Sequence, residues 1–181
     1  MPRYHPLLVG LHWLLALLIL FALAMGTFSL KEIPNASPEK LFALRGHMIA
    51  GVAILALMLV RLGLRLWLPR PAPATTGNRF LDRLGIGVHY GFYLLVILMA
   101  ASGIATAVQA GLPAIVFGGS GAPLPESFWV YRPRAVHGAI AKLLLALAAL
   151  HVAAALYHQV VRRDRLFARM WFGPRRNSNQ H

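Results

Sequence analysis

Four stretches of nearly unbroken apolar sequence, at about residues 7–30, 41–68, 84–108 and 135–161, constrain this chain more than any other feature. Each is at least as long as the roughly 20 residues a helix needs to cross about 30 Å of hydrocarbon. Only five Asp and Glu occur in 181 residues and 58% of the chain is hydrophobic, well outside the usual composition of a soluble domain. The expected fold is an all-α integral membrane protein, a four-transmembrane-helix bundle forming one domain over residues 1–181, with a basic tail at 162–181. A cleavable signal peptide is the rival reading of the first stretch. That stretch is longer than a typical signal core, and GTFSLKEIP offers no clear small-x-small cleavage site, so it is read as a retained span.

The formal charge of +13 raises the question of nucleic acid, but the basic residues gather at span ends rather than along a stripe, and no nucleic-acid partner is expected. Arg3, Arg61, Arg65, Arg70, Arg79, Arg83, Arg162, Arg163, Arg165, Arg169, Arg175 and Arg176 fall on the side holding both termini. Lys31, Lys40, Arg45, Arg132 and Arg134 fall on the other, and Lys142 lies within a span, where it is read as snorkelling outward. The positive-inside rule then places both termini of this multi-pass membrane protein in the cytoplasm. The absence of cysteine excludes disulfides, thiolate ligands and thioether-attached haem.

Between the spans, KEIPNASPEK is a short turn-rich outer loop, and PRPAPATTGNRF, with Pro69, Pro71 and Pro73, reads as an extended inner linker. The second outer loop, about residues 109–134, is either a packed functional cap or an interfacial segment anchored by Phe128, Trp129 and Tyr131.

Eight histidines carry the chemistry; His5 and His181 are terminal and read as solvated, and six fall in or at the ends of the spans. His12 and His89 lie a few residues into outward-running spans and so belong near the cytoplasmic side, whereas His47 and His137 belong near the opposite side. His151 follows His137 by fourteen residues, about 21 Å at 1.5 Å per residue, and returns to the cytoplasmic level. Fourteen residues come within roughly 40° of whole turns, so His137, His151 and, seven residues on, His158 share one helix face. A lone histidine in such a span is most simply a hydrogen-bonding core or interfacial residue. Six on four helices, in two layers, point to ligands, because intramembrane ionisable residues are rare and usually face a functional interior.

Paired imidazoles from facing helices, without thiolates or membrane carboxylates, suit a planar macrocycle with two axial positions, so two b-type haems stacked across the bilayer are expected. Gly26 and Gly103, fourteen residues after His12 and His89, would face the outer haem and give it room. Arg61, fourteen residues after His47, belongs at the inner layer, where it either meets a haem propionate or quinone oxygen or snorkels; Arg65 is read as snorkelling. By depth alone His47 pairs with His137, while His151 has two candidate partners, His12 and His89.

HWLLALLILFALA, GHMIAGVAILALMLVRLGLRL, HYGFYLLVILMAASG and VHGAIAKLLLALAALHVAAALYH together resemble bacterial cytochrome b561, the di-haem superoxide oxidase family related to the cytochrome b subunits of nickel–iron hydrogenases. The resemblance covers about residues 4–174. It implies two bis-histidine haems, the outer on His47 and His137 and the inner on His12 and His151, with His89 beside the inner haem. It further implies electron exchange between a periplasmic donor and the quinone pool, and His158, about 10 Å beyond His151, is a candidate quinone site.

The expected activity is therefore that of a membrane-bound oxidoreductase, superoxide oxidation at the periplasmic face coupled to ubiquinone reduction, with lipid, quinone and superoxide or another periplasmic donor as partners. No catalytic residue is singled out. Two alternatives stay open: an electron-transfer subunit serving a periplasmic dehydrogenase or hydrogenase, and a small transporter or structural protein whose histidines hold zinc or relay protons.

Overall fold

The computed structural model describes residues 3–69, 71–72, 77–164 and 166–172. Arg70, Pro73, Arg165, Arg175, Arg176, His181 and the end of the basic tail lie outside the described residues. The four-span reading is borne out: α1 (Pro6–Ala24), α2 (Pro38–Trp67), α3 (Arg79–Gln109) and α4 (Arg132–Tyr157) are each long and apolar enough to cross a membrane. The described residues contain no strand. Helices satisfy their own backbone groups, which hydrocarbon cannot do for them.

Local chemistry sets the ends. Pro6 and Pro38 occupy the first helical positions of α1 and α2, where the missing N–H costs nothing, and the His5 ring accepts from the Leu7 amide. Asn78 caps α3 by accepting from the Phe80 and Leu81 amides. Single π-helical turns, Met25–Ser29 and His158–Arg162, extend α1 and α4.

The helices pack in chain order, α1 on α2, α2 on α3 and, most extensively, α3 on α4. Outward faces carry Leu17, Phe42, Leu94 and Leu150, each at least 58% exposed, as a lipid-facing surface requires. The main core joins Leu15, Leu23, Ile54, Met58, Tyr93, Val96 and Leu144 from all four helices. Its register follows the histidines: Ile19, Ile54, Val96 and Leu144 each lie seven residues after His12, His47, His89 and His137, and all four belong to this apolar middle. Seven more residues on each helix lead to Gly26, Arg61, Gly103 and His151. The bundle is thus two polar layers separated by an apolar one.

The second outer loop is a packed cap. Val116 is fully buried, and Leu112, Ala107 and Ala110 pack with Leu41, Leu44 and Met48 of α2 and with Phe128 and Tyr131. Arg45 grips the Val116 carbonyl through Nε at 3.1 Å and a terminal nitrogen at 2.5 Å, and the Asn35 amide donates to the Pro125 carbonyl at 2.7 Å. Only Trp129 of the three expected anchors is well exposed, and the Arg134 guanidinium lies 4.6 Å from its ring centre. Lys40 is buried, donating to the carbonyls of Leu30 and Ile33 at the end of the first span, so it is a capping donor rather than a surface charge.

The described part of the tail is docked. A 3-10 turn, Leu166–Met170, lies under the start of α1: the Trp13 indole donates to the Met170 carbonyl at 2.8 Å, Arg3 to that of Phe172 at 2.9 Å, and the Tyr4 amide to that of Arg169 at 3.2 Å. Phe167 and Trp171 close on the Trp13 ring, each at 5.8 Å. Arg169 reaches across to the Ala72 carbonyl of the linker at 2.8 Å. Trp13→Phe, which deletes the indole donor and leaves a smaller aromatic ring, is expected to cost at least about 1 kcal/mol of tail docking. Faster limited proteolysis of the tail would register it; an unchanged rate would show that ring packing alone suffices.

Candidate cofactor site: two histidine layers

At the end of the bundle opposite the termini, His47 of α2 faces His137 of α4 with ring centres 6.1 Å apart and planes at 77°. The glycines expected there lie against these rings. A Cβ on Gly26 would stand 3.5 Å from Cε1 of His47, and one on Gly103 would stand 3.1 Å from Cε1 of His137. Nδ1 of His137 is 3.0 Å from the Met99 carbonyl and 3.2 Å from the Ser102 hydroxyl, which itself donates to the same carbonyl at 2.9 Å. A carbonyl only accepts, so Nδ1 carries the proton and Nε2 keeps a free lone pair. Nδ1 of His47 is buried without a hydrogen-bond partner.

At the terminal end, His12 of α1 faces His151 of α4 with ring centres 6.2 Å apart and planes at 74°. The His89 ring of α3 also lies close to His151, at 5.6 Å, and that of Phe92 at 5.4 Å. Trp13 stands edge-on to His12 at 5.4 Å. The geometry brings His12, His89 and His151 together and leaves His151 as the shared member. Arg61 belongs to this layer, donating to the Tyr93 hydroxyl at 2.5 Å, and Tyr93 is 5% exposed.

These spacings allow a test of fit. A metal about 2 Å from one nitrogen of each of two facing imidazoles, with each ring centre a further ~1.2 Å away, separates the centres by roughly 6–6.5 Å. Both the His47–His137 and His12–His151 pairs meet that value with steeply inclined rings. Among the described residues no three histidine or carboxylate side chains converge as a metal-holding group, whereas zinc takes three or four ligands. Paired donors, an orphaned buried ring nitrogen and glycines against the rings fit a flat group with two axial positions.

His158 stands apart, at the first position of the turn that ends α4. Its Nδ1 is 2.5 Å from a carboxylate oxygen of Asp164, whose other oxygen accepts from the Leu166 amide at 3.2 Å. Partial burial alone would raise the Asp164 carboxyl, but the hydrogen bonds from His158 and Leu166 and the charge of Arg162 hold it below the usual carboxylate value. A depressed carboxyl adds stability that is complete above its unfolded value and is lost as pH falls through its folded one. Acidification through that range is therefore expected to loosen the turn leading into the tail, read by tryptophan fluorescence, and Asp164→Asn to remove the dependence.

Sequence reasoning missed Ser102, the Met99 carbonyl, the Arg61 contact to Tyr93 and Asp164. A hydroxyl beside Gly103 and a lone acid in a basic tail were the available signals. Lys142 is exposed on the outer face of α4 and takes no part in either layer.

A family model described as prokaryotic cytochrome b561 matches residues 3–173. A protein of Cereibacter sphaeroides named cytochrome b562 is 32% identical over 172 residues, covering 93% of this chain and 95% of its own. A protein of Yersinia pestis named probable superoxide oxidase CybB is 28% identical over 175 residues, again covering 93% and 95%.

Proposed function

We propose that this chain, which belongs to the prokaryotic cytochrome b561 family, is a di-haem electron carrier that oxidises superoxide at the periplasmic face and reduces ubiquinone. Family membership makes it a bacterial membrane electron-transfer protein with b-type haem; the haem number, donor and acceptor are our reading. The observation that carries it is the pair of matched histidine couples, 6.1 and 6.2 Å between ring centres, one in each polar layer. Bound there, the two haems supply one-electron exchange, so that two superoxide ions each give up one electron to become dioxygen while ubiquinone takes up two electrons and two protons.

In this reading His47 and His137 hold the outer haem and His12 and His151 the inner. The spacing of the His12 couple matches that of the outer pair more closely than does His89 at 5.6 Å, which supports His89 as a flanking residue. Met99 and Ser102 fix the His137 tautomer, an arrangement usual behind ligating histidines. The apolar layer of Ile54, Val96 and Leu144 keeps water from the space between the sites. With the termini cytoplasmic, His158 lies about 10 Å beyond His151, at the quinone end. Asp164, as a carboxylate, can only accept, so the proton between the two sits on Nδ1 of His158.

The superoxide step draws on the name of the Yersinia pestis relative. The charge at that face offers modest support, because Lys40 is buried, Lys31 is paired with Glu32 at 3.3 Å and Arg45 is spent on a carbonyl. The more similar relative is named only as a cytochrome, which favours a second reading, an electron-carrying subunit for a periplasmic partner docking on the outer cap. One experiment separates them. The purified protein should contain two reducible b haems per chain and pass electrons from superoxide to ubiquinone in stopped flow; two haems without superoxide reactivity would leave the subunit reading, and no b haem would defeat both.

A further inference from the structure

We infer that Arg61, held by Tyr93, and Arg65, one turn further along α2, form the binding site for the two carboxylate groups of the inner haem. This rests on the di-haem reading and adds to it a site that the histidine pairs do not supply. Arg61 lies fourteen residues after His47, at the level of His12, His89 and His151, and donates to Tyr93, one turn along α3 from His89, while Arg65 is one turn nearer the end of α2. Both arginines therefore flank the inner layer.

Their hydrogen bonding is incomplete. A guanidinium offers five N–H donors, accepts nothing and stays charged. Arg61 donates to the Tyr93 hydroxyl, with its Cζ 5.9 Å from the same ring, but a neutral phenol does not cancel a cation. Nε of Arg61 and Nε of Arg65 are both buried without a hydrogen-bond partner. Acidic side chains are absent from α1, from α2 beyond Glu39, from α3 beyond Asp82 and from α4. Among the described residues, the ion pairs are Lys31–Glu32 and those of Asp164 with His158 and Arg162, and neither arginine takes part.

Both side chains are half-buried, and an arginine in a membrane span without an acidic partner is unfavourable, so the layer favours an anion from outside the chain. Two guanidinium groups at one-turn spacing, each with an unused donor, match a ligand bearing two carboxylates, and arginine pairs with carboxylates in forked geometry. A b haem carries two. Snorkelling, the simpler fate of an arginine near a span end, buries the stem and can bury Nε with it, but it does not account for the bond of Arg61 to a tyrosine that is itself in the core.

The test uses haem and its dimethyl ester, in which both carboxylates are blocked, added to haem-depleted protein in detergent and followed in the visible. The wild type should take haem into the inner site at least about 10-fold more tightly than the ester, the scale on which outer contacts affect metal-site affinity. Arg61→Met with Arg65→Met should remove that preference while outer-site binding stays normal, which also reports that the variant is folded. In potentiometric titration of holoprotein, Arg61→Met should move the inner haem alone to lower potential, since the uncompensated carboxylate favours ferric iron, and Arg61→Lys should restore part of the shift. An unchanged ester preference and unchanged potentials in the double variant would overturn the inference while leaving two haems per chain. A wild type that binds no haem would instead overturn the reading beneath it.

Discussion

Replacing His151 with alanine is expected to leave one haem per chain instead of two and to lower quinone reduction by at least about 100-fold, the upper end of what loss of a supporting contact alone costs a metal site. His151 is the member common to every pairing in the inner layer, since its ring faces His12 at 6.2 Å and His89 at 5.6 Å. Either partner needs it. The two partners themselves separate cleanly: His12→Ala should reproduce the loss, whereas His89→Ala should keep two haems and shift only the spectrum or potential of one. The reverse result would move the ligand role from α1 to α3. Haem counting by the pyridine haemochrome method and redox titration give both readouts without reference to a donor. In the proposed reading the outer haem belongs to His137, about 21 Å along α4 from His151, and should titrate as in the wild type and so confirm that the variant is folded.

The fold was legible because hydrocarbon leaves so few options: four apolar stretches of this length can only be four spans, and the structure has them, starting three to five residues earlier than composition suggested for α2, α3 and α4. Most of those extra residues, such as Pro38 and Arg132, are polar or capping types that extend a helix into the headgroups without an apolar signal. The layers were legible too, through the fourteen-residue spacing that brings His137 and His151 to one face. A sequence does not state how far each helix is rotated against its neighbours, and the choice between His12 and His89 turns on that rotation.

What periodicity could not give are contacts between residues far apart in the chain. The Trp13 bond to Met170 spans 157 positions, and the docked tail would read from composition as a free basic end. Lys40 is similar: counted as a surface charge, it caps carbonyls left by the turn at Leu30 and Ile33. The second outer loop became a cap because Arg45 and Asn35 satisfy its backbone, and nothing in its Gly- and Pro-rich text announces those donors. In each case a polar side chain was placed by the needs of a distant backbone group, which is invisible until the chain is folded.

The outer layer offers the second large effect, through a residue with no side chain. Gly103→Leu is expected to expel the outer haem and spare the inner one, matching His137→Ala in haem count. Even the first added atom would stand 3.1 Å from Cε1 and 3.3 Å from Nδ1 of His137, tighter than an ordinary contact. The ring cannot yield without breaking its bonds to the Met99 carbonyl and the Ser102 hydroxyl, the two contacts that keep the proton on Nδ1 and the lone pair on Nε2. Overpacking of this kind costs about 1–3 kcal/mol, small against the fold but enough to displace a ligand from its metal. Gly26→Leu provides the graded comparison, because its first atom would meet His47 at a comfortable 3.5 Å and His47 has no second bond at Nδ1 to lose. It should weaken the outer haem less than Gly103→Leu. Equal losses would mean that the glycines make room for the macrocycle itself, and that the His137 anchor adds little to holding it.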